Sequence, residues 1–203
     1  MNVNIKRLSP DAQIPDYAHA TDAGFDLVAS EDVIIEPGWA ELVPTGLAFE
    51  IPEGYEMQIR PRSGITLNTR LRVQLGTVDS GYRGEVGVIV DNISERTSLT
   101  SIKYEHIDGT ATETEKHDRY CSRYGDYVEQ DEVAYKTYLI RKGDRIAQAV
   151  IKPVEQAVFT EVDTLGDSDR GAGGFGSSGV TTKEEGTHLK SSGLAFDLPK
   201  EES

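Results

Sequence analysis

The chain has 203 residues, 37% of them hydrophobic, and a formal net charge of −14, which suits one domain with extensions and argues against direct binding to nucleic acid. Its single cysteine, Cys121, excludes an intrachain disulfide and fits a reducing compartment. Because no apolar run reaches the length of a membrane span and the N-terminal residues lack a signal-peptide pattern, we expect a cytoplasmic protein without membrane contact.

Residues 1–90 predict short β-strands separated by turns. Apolar residues alternate with other residues in several runs, at positions 33–35, 47–51, 55–59 and 86–90. Turn-forming sequences such as Pro37-Gly38 and Pro52-Glu53-Gly54 stand between these runs. No stretch of this region has a helical period. We therefore predict an all-β fold, either a sandwich or a jelly-roll-like barrel.

The acidic charge is unevenly distributed along the chain. Residues 57–78 contain no Asp or Glu, although several arginines lie in this range: Arg60, Arg62, Arg70 and Arg72. Because the local field decides whether an anion binds, this segment favours a site for a small polyanion within an acidic protein. The alternative is a set of solvated strand arginines without a ligand.

Residues 76–85, GTVDSGYRGE, combine a carboxylate, an aromatic ring and a guanidinium in a glycine-rich turn. Glycines tolerate left-handed backbone conformations and close approach by a ligand, so we predict a tight β-hairpin whose backbone can read the edge of a base. In this hairpin Asp79 is a candidate to deprotonate a water molecule, and Tyr82 is a candidate to lie flat against a sugar. The alternative role for Asp79 is an Asx-turn that caps the hairpin.

Residues 95–134 differ in composition from the flanking segments. They are rich in acidic residues and tyrosines but poor in aliphatic residues, and strand-like sequence resumes near Tyr138-Leu139-Ile140. We predict an insertion between two strands, which is either a solvated excursion with a small core of its own or a protein–protein contact surface. His106, His117 and Cys121 lack the paired spacing of zinc ligands.

The chain from Leu165 onward is rich in Gly, Ser and charged residues, with the sequence RGAGGFGSSG at 170–179. A plain flexible linker is one interpretation, but an arginine and a phenylalanine spaced among glycines favour a mobile segment that closes over a ligand. Residues 187–203 are polar apart from a few apolar side chains, and are either disordered or docked on another surface.

Five short segments together resemble, in order, the five motifs of the homotrimeric dUTPases, also called dUTP diphosphatases. They are ATDAGFDL at 20–27, RPRSG at 60–64, GTVDSGYRGE at 76–85, GDRIAQ at 143–148 and RGAGGFGSSG at 170–179. Each segment alone is a weak signal, whereas all five in this order are specific. The tyrosine-rich insertion further resembles that of dUTPases from staphylococcal bacteriophages. One departure is Val73-Gln74-Leu75, where many family members have Asn-x-Pro.

The resemblance implies a dUTPase-type (β-clip) jelly-roll barrel formed by residues 1–94 and 135–164, interrupted by the insertion at 95–134 and followed by a C-terminal arm at 165–203. It also implies a homotrimer whose active sites are each built from several subunits. The implied reaction is hydrolysis of dUTP to dUMP and pyrophosphate by Mg²⁺-assisted attack of water on the α-phosphate. If the chain is phage-encoded, the implied location is the cytoplasm of the bacterial host.

The resemblance assigns roles to individual residues as well. Asp79 orients and activates the attacking water, Tyr82 lies beneath the deoxyribose, and Asp26 either reaches Mg²⁺ through water or holds the architecture of the site. The segment Gly76, Thr77 and Val78 recognises the base. The remaining substrate-binding residues contact the phosphate chain or close over the nucleotide, with Phe175 stacked on uracil: Arg62, Ser63, Gly64, Gln148, Arg170, Gly174, Phe175, Gly176, Ser177 and Ser178.

Other functions stay open at this point. A dCTP deaminase shares the fold, although the Asp79 turn and the glycine-rich arm argue against it. A nucleotide-gated regulatory binding protein without catalysis is a second alternative. The resemblance to the phage enzymes implies a further role, in which residues 95–134 and the active-site surface bind the Stl repressor of pathogenicity islands and relieve repression.

Overall fold

The computed structural model of the chain describes residues 1–114, 117–121, 126–130 and 132–173, and it describes side chains within 1–114 and 132–173. The chain divides into two compact units, Met1–Ala157 and Val158–Ser203. The predicted arm residues Gly174, Phe175, Gly176, Ser177 and Ser178 lie outside the described residues. No helix in the described part of the chain has the length and hydrophobicity needed to span a membrane.

The described residues of the first unit are almost entirely strands and connecting turns. In chain order the elements are β1 (Asn4–Arg7), β2 (Phe25–Val28), β3 (Val33–Ile35), β4 (Ala40–Pro44), β5 (Leu47–Glu50), β6 (Tyr55–Arg60), α1 (Ser63–Asn68), β7 (Leu71–Val73), β8 (Gly76–Asp79), β9 (Gly87–Asn92), β10 (Thr100–Ser101), β11 (Lys103–Glu105), β12 (Ala111–Glu113), β13 (His117–Cys121), β14 (Asp126–Gln130), β15 (Val133–Ala134), β16 (Tyr138–Ile140) and β17 (Arg145–Pro153). The prediction of an all-β fold is confirmed.

Three sheets build the framework of the unit. The first has the order β2-β17-β6-β8, with every neighbouring pair antiparallel. The second has the order β4-β9-β7, and the third the order β12-β11-β16-β3. Alternation of inward and outward side chains explains the strands, as β9 shows: Val88 and Val90 are buried whereas Ile89 between them is exposed.

A single apolar core lies between these sheets. It draws on most strands of the unit, and its largest fully buried side chains include Leu27, Ile35, Leu47, Ile51, Met57, Leu71, Val86, Val88, Ile140 and Ile146. The longest strand, β17, crosses this core and pairs with β2 on one side and β6 on the other. The first half of β17 is therefore held in register to β2, the second half to β6, and Gln148 and Ala149 to both.

The helix α1 differs from the sequence analysis, which found no helical period in this region. It begins after Arg62, whose extended backbone (φ −91°, ψ 132°) ends the preceding segment, and Ile65 is its only buried residue. The Thr69 N–H closes it by donating to the Ile65 carbonyl at 3.0 Å. Six residues with one buried side chain contain less than two turns, so the sequence carries no repeat that reveals such a helix.

The prediction of a β-hairpin at residues 76–85 is wrong. Strand β8 pairs with β6, whereas the following strand β9 pairs with β4 and β7, so the two strands belong to different sheets. Between them the Tyr82 N–H donates to the Asp79 carbonyl at 3.0 Å and closes a turn. Glycine is required at position 84 because the Tyr82 side chain approaches it closely, and not because of an unusual backbone angle. A Cβ on Gly84 would lie 2.4 Å from Tyr82 Oη.

The described part of the 95–134 segment extends the third sheet. Strand β11 pairs antiparallel with β12 and parallel with β16, which carries the insertion's return into the main unit. Ile107 packs against the main core, and the buried His106 contacts the Leu139 carbonyl through Nδ1 and Thr112 Oγ1 through Nε2. This part of the segment is therefore attached to the main core through Ile107.

Candidate active site

An open pocket with a volume of about 400 Å³ lies where α1 begins and β17 begins. Helix α1, the turn before β17 and the strand β17 itself all contribute to its lining. The residues that line the pocket are Arg62, Ser63, Gly64, Ile65, Asn68, Ile107, Asp108, Gly143, Asp144, Arg145 and Gln148. The structure thus brings together Arg62, Ser63, Gly64 and Gln148, all of which the sequence analysis assigned to a phosphate chain.

Asp26 holds the two arginines of this pocket. Its Oδ2 lies 3.2 Å from Arg145 Nη1, and its Oδ1 lies 3.1 Å from Arg62 Nε without hydrogen-bond geometry. Arg62 Nη1 also donates to the Arg145 carbonyl at 2.9 Å. Because β2 and β17 pair Asp26 with Gln148, the sheet register sets this carboxylate beside the pocket. One carboxylate therefore fixes two guanidinium groups.

The pocket offers several kinds of donor to an anion. Arg62 and Arg145 supply positive charge, Ser63 a hydroxyl and Gln148 an uncharged amide. The first turn of a helix also leaves backbone N–H groups without intrahelical acceptors, and Gly64 has no Cβ to cover them. Planar guanidinium groups with aligned N–H donors suit phosphate oxygens. The arrangement can hold a polyanion.

Two carboxylates also line this pocket. Asp144 is turned into its own loop, where its Oδ2 accepts the Arg141 N–H at 2.9 Å, and Gly143 there has a left-handed φ of +93°. Asp108 accepts bonds from Thr110 through both Oγ1 and N–H, and from Arg141 Nη2. These bonds, the Thr110 hydroxyl first, hold the pKa of Asp108 well below its usual range. Sequence reasoning missed both residues, and Asp108 belongs to the insertion.

The residues assigned to water activation and to the base form a second group on β8 and its turn. Asp79 is exposed at the end of β8. The ring of Tyr82 is 47% exposed, and its hydroxyl donates to the Glu85 carbonyl at 2.9 Å. Thr77 is exposed, whereas Gly76 and Val78 are half-buried. Strand β8 forms one edge of its sheet, so within the described chain its outer backbone groups face no strand.

The two groups share a sheet, but Asp79 lies at the opposite end of it from Gln148. Gln148 pairs with Arg60, and the preceding residue of β6, Ile59, pairs with Gly76. Asp79 pairs with Glu56, at the other end of β6. Two interstrand spacings combined with four residues of strand separate Asp79 from Gln148 by roughly 15 Å. In one copy of the chain, the Asp79 carboxylate and the anion pocket are therefore too far apart to share one hydrogen-bonded water.

Arg170 lies in the second unit, where it forms a local turn. Its Nε donates to the Gly173 carbonyl at 2.7 Å, and the Gly173 N–H donates to the Arg170 carbonyl at 3.0 Å. Upstream in the same unit several large apolar side chains are exposed: Val158, Phe159, Val162 and Leu165. The described residues of this unit thus present an apolar stretch followed by a turn that carries a cation.

Comparison with known sequences identifies similar proteins along most of the chain. A family model described as dUTPase matches residues 10–103 and 133–179. The deoxyuridine 5'-triphosphate nucleotidohydrolase of Nautilia profundicola is 42% identical over 181 residues, covering 88% of this chain and 99% of that protein. That of Helicobacter hepaticus is 42% identical over 185 residues, covering 90% and 92%.

Solved structures of phage proteins are also similar. The Staphylococcus bacteriophage 80alpha dUTPase with dUpNHpp has a TM-score of 0.77 and 35% identity, covering 88% of this chain and 99% of that one. The phage phi11 enzyme of S. aureus, described as visualising a species-specific insert, has a TM-score of 0.70 and 28% identity over 81% and 98%. A mutant of it is described as revealing coordination of a structural Mg(II) ion, with a TM-score of 0.69 and 29% identity over 81% and 98%.

Proposed function

This chain belongs to the dUTPase family and is a dUTP nucleotidohydrolase with the family's jelly-roll-type fold, and we propose that it cleaves dUTP to dUMP and pyrophosphate at sites shared between copies of the chain. The observation that carries this proposal is the anion pocket formed by Arg62, Ser63, Gly64 and Gln148. In this proposal the pocket binds the triphosphate, whereas the Asp79 turn binds the attacking water and the nucleoside.

The triphosphate binds in the pocket through charge and directed donors. Arg62 and Arg145 neutralise part of the phosphate charge, and Asp26 holds both guanidinium groups so that little side-chain entropy is lost on binding. Ser63 and Gln148 add neutral hydrogen bonds. Arg170 and the segment 174–178 close over the nucleotide from the arm, with Phe175 against the base and Ser177 and Ser178 on the terminal phosphates.

The Asp79 carboxylate orients water for attack on the α-phosphorus. An exposed aspartate is a modest base, so most of its effect comes from fixing the water in line with the leaving pyrophosphate and from stabilising developing charge. The turn supports this role because the Asp79 carbonyl is bonded to the Tyr82 N–H. The water oxygen forms a bond to the α-phosphorus, which gives dUMP. The bond from the α-phosphorus to the bridging oxygen breaks, and that oxygen leaves with pyrophosphate.

The edge of β8 selects uracil and deoxyribose. Backbone groups near Gly76, Thr77 and Val78 face no strand in the described chain, so they are open to the O2, N3–H and O4 pattern of uracil. Cytosine reverses the pattern at positions 3 and 4 and would leave buried groups unpaired, which discriminates strongly. Tyr82, fixed by its bond to the Glu85 carbonyl, lies beneath the deoxyribose and leaves no room for a 2′-hydroxyl.

The residues of the pocket are compatible with a Mg²⁺ ion that is bound mainly by the phosphates of the substrate. No group of three His, Cys, Asp or Glu side chains within residues 1–114 and 132–173 has the arrangement to hold a metal ion. Mg²⁺ prefers phosphate oxygens and retained waters, and Asp26 Oδ1 is a buried oxygen without a hydrogen bond that suits such a water. When bound, Mg²⁺ neutralises and orients the phosphate chain. The water-mediated contact of Asp26 stays a prediction.

The distance between the two groups of residues supports a site that is shared between copies of the chain. Asp79 and Gln148 lie roughly 15 Å apart across the sheet in one chain. Exposed apolar side chains support association: Leu42 on β4 and Ile89 on β9 are cross-strand neighbours, exposed by 62% and 50%. A homotrimer lets the Asp79 turn of one copy face the pocket of the next, with an arm from the third.

Release of pyrophosphate from purified protein tests the proposed activity. With Mg²⁺ present, we expect release from dUTP and at least a hundredfold lower kcat/KM for dCTP, dTTP and UTP, because each competitor leaves a polar group unpaired or meets a steric clash. Ammonia release from dCTP would instead identify a deaminase. No release from any nucleotide, with dUTP still bound, would identify a regulatory nucleotide sensor.

A second role in binding a repressor rests on the insertion. Structures similar to this chain are described as phage dUTPases that control the transfer of virulence genes. The family match leaves out residues 104–132, which supports an insertion with a separate purpose. We extend the proposal to binding of an Stl-type repressor through this segment, in competition with nucleotide if the pocket is covered.

Removing residues 115–131 tests this second role. The deletion spares β11, β12 and Asp108, so the pocket keeps all its described lining. We expect dUTP hydrolysis to stay within threefold of the intact enzyme and binding to the Stl repressor, measured by calorimetry, to fall at least a hundredfold. Tight binding by the shortened enzyme would place the repressor contact elsewhere.

A further inference from the structure

The first hairpin of the insertion forms part of the wall of the anion pocket. Ile107 and Asp108 follow β11 and line the same pocket as Ser63 and Gly64. Both residues fall in the segment that the family match leaves out. A carboxylate in a phosphate pocket is unusual, because it repels the ligand that the surrounding donors attract.

The Asp108 carboxylate is firmly held on this wall. Oδ1 accepts the Thr110 hydroxyl at 2.6 Å and the Thr110 N–H at 2.9 Å, and Oδ2 accepts Arg141 Nη2 at 2.9 Å. Asp108 lines the pocket, whereas its ion-pair partner Arg141 is not among the lining residues. The bonds also keep the pKa of Asp108 low, so the group stays charged at every working pH.

We propose that Asp108 is a specificity-determining residue that makes the pocket favour the cation-complexed triphosphate over the free anion. This inference rests on the proposed function, which places the triphosphate in this pocket. Bound Mg²⁺ removes two units of negative charge from the triphosphate, so the repulsion from Asp108 is smaller for the complexed ligand. Asp108 thereby adds a preference for the cation complex to a pocket whose phosphate donors belong to the family motifs.

A merely structural role for Asp108 predicts the opposite sign. If the bond from Asp108 to Arg141 served only to brace the turn before β17, losing that bond would disorder Gly143, Asp144 and Arg145. The affinity for every anion would then fall. If the charge of Asp108 itself acts, removing it raises the affinity for the metal-free triphosphate more than the affinity for the Mg²⁺ complex. The direction of the change in metal-free affinity therefore separates the two roles.

Calorimetric titration with dUpNHpp, in EDTA and in Mg²⁺ at low salt, tests the proposal. We expect Asp108→Asn to bind dUpNHpp about threefold more tightly than the unmodified protein in EDTA, with a difference under twofold in Mg²⁺. Asp108→Glu keeps the charge and is expected to stay near the unmodified protein. The difference in EDTA should vanish at high salt, because screening removes a field effect but not a packing effect.

Two controls keep the outcomes apart. Asp16→Asn makes the same charge change at an exposed loop residue that does not line the pocket, and is expected to change neither affinity. Arg62→Ala should weaken dUpNHpp in both buffers; if it does not, the placement of the triphosphate is wrong and the proposed site fails with it. With Arg62→Ala behaving as expected, an unchanged or weakened metal-free affinity in Asp108→Asn overturns the role of Asp108.

Discussion

Replacing Asp79 by Asn is expected to lower kcat for dUTP hydrolysis by roughly a thousandfold while leaving the affinity for dUpNHpp within about threefold. The substitution removes the negative charge and the basic oxygen but keeps the shape of the side chain. Asp79 is exposed, and the backbone contact that closes its turn, from the Tyr82 N–H to the Asp79 carbonyl, does not involve the carboxylate. The turn and its nucleotide contacts should therefore survive.

The kinetic pattern distinguishes a water-activating role from a binding role. A group that acts on the attacking water contributes in the transition state, so kcat and kcat/KM should fall together. Single-turnover hydrolysis and calorimetry on the same preparation give the two quantities. Glu85→Gln is the matched control, since Glu85 lies in the same segment and its Oε1 accepts the Gly46 N–H at 2.7 Å. That variant should keep kcat within severalfold, and an Asp79→Asn enzyme within tenfold of the unmodified rate would remove Asp79 from the mechanism.

Local alternation in the sequence predicts strands but not their partners. The apolar runs at 47–51, 55–59 and 86–90 become β5, β6 and β9, because a two-residue period alone decides which side chains face the core. Pairing depends on contacts far apart in sequence. Strand β8 pairs with β6, about twenty residues upstream, so the glycine-rich turn that suggested a hairpin joins two different sheets.

The same limit applies to the site. Short motifs identified Arg62, Ser63, Gly64 and Gln148, and the structure brings them into one pocket. The sequence could not reveal that Asp26 pairs with both Arg62 and Arg145, because that contact follows from the register of β2 against β17. Nor could it reveal Asp108 on the pocket wall, since the insertion matches no motif and its position depends on the parallel pairing of β11 with β16.

A mixture of two inactive variants is expected to recover activity if the site is shared between copies. One variant carries Asp79→Asn and lacks the water-activating carboxylate, whereas the other carries Arg62→Ala and lacks a phosphate contact. In randomly mixed trimers, a site that takes Asp79 from one copy and Arg62 from the next is intact in about a quarter of cases. Co-refolded equal amounts should therefore show about a quarter of the unmodified rate, at least tenfold above either parent.

The geometry supports this expectation. Within one chain, Asp79 pairs with Glu56 at one end of β6, and Gln148 pairs with Arg60 at the other end. If both groups nonetheless acted within a single copy, every site in the mixture would lack one of them, and the rate would stay at the average of the two parents. Mixing Asp79→Asn with Asp79→Ala controls for refolding, because no arrangement of these copies restores the carboxylate.

A second pair of variants guards against misfolding of the Arg62 variant. Arg62 contacts Asp26 and the Arg145 carbonyl, so its loss disturbs a local network, whereas Gln148 is exposed on the same pocket. Gln148→Ala mixed with Asp79→Asn should also exceed both parents. Light scattering on each mixture should give the mass of three chains. A trimer without rescue in either pair would show that the copies assemble without sharing their sites, and the roughly 15 Å gap would then have to close within one chain.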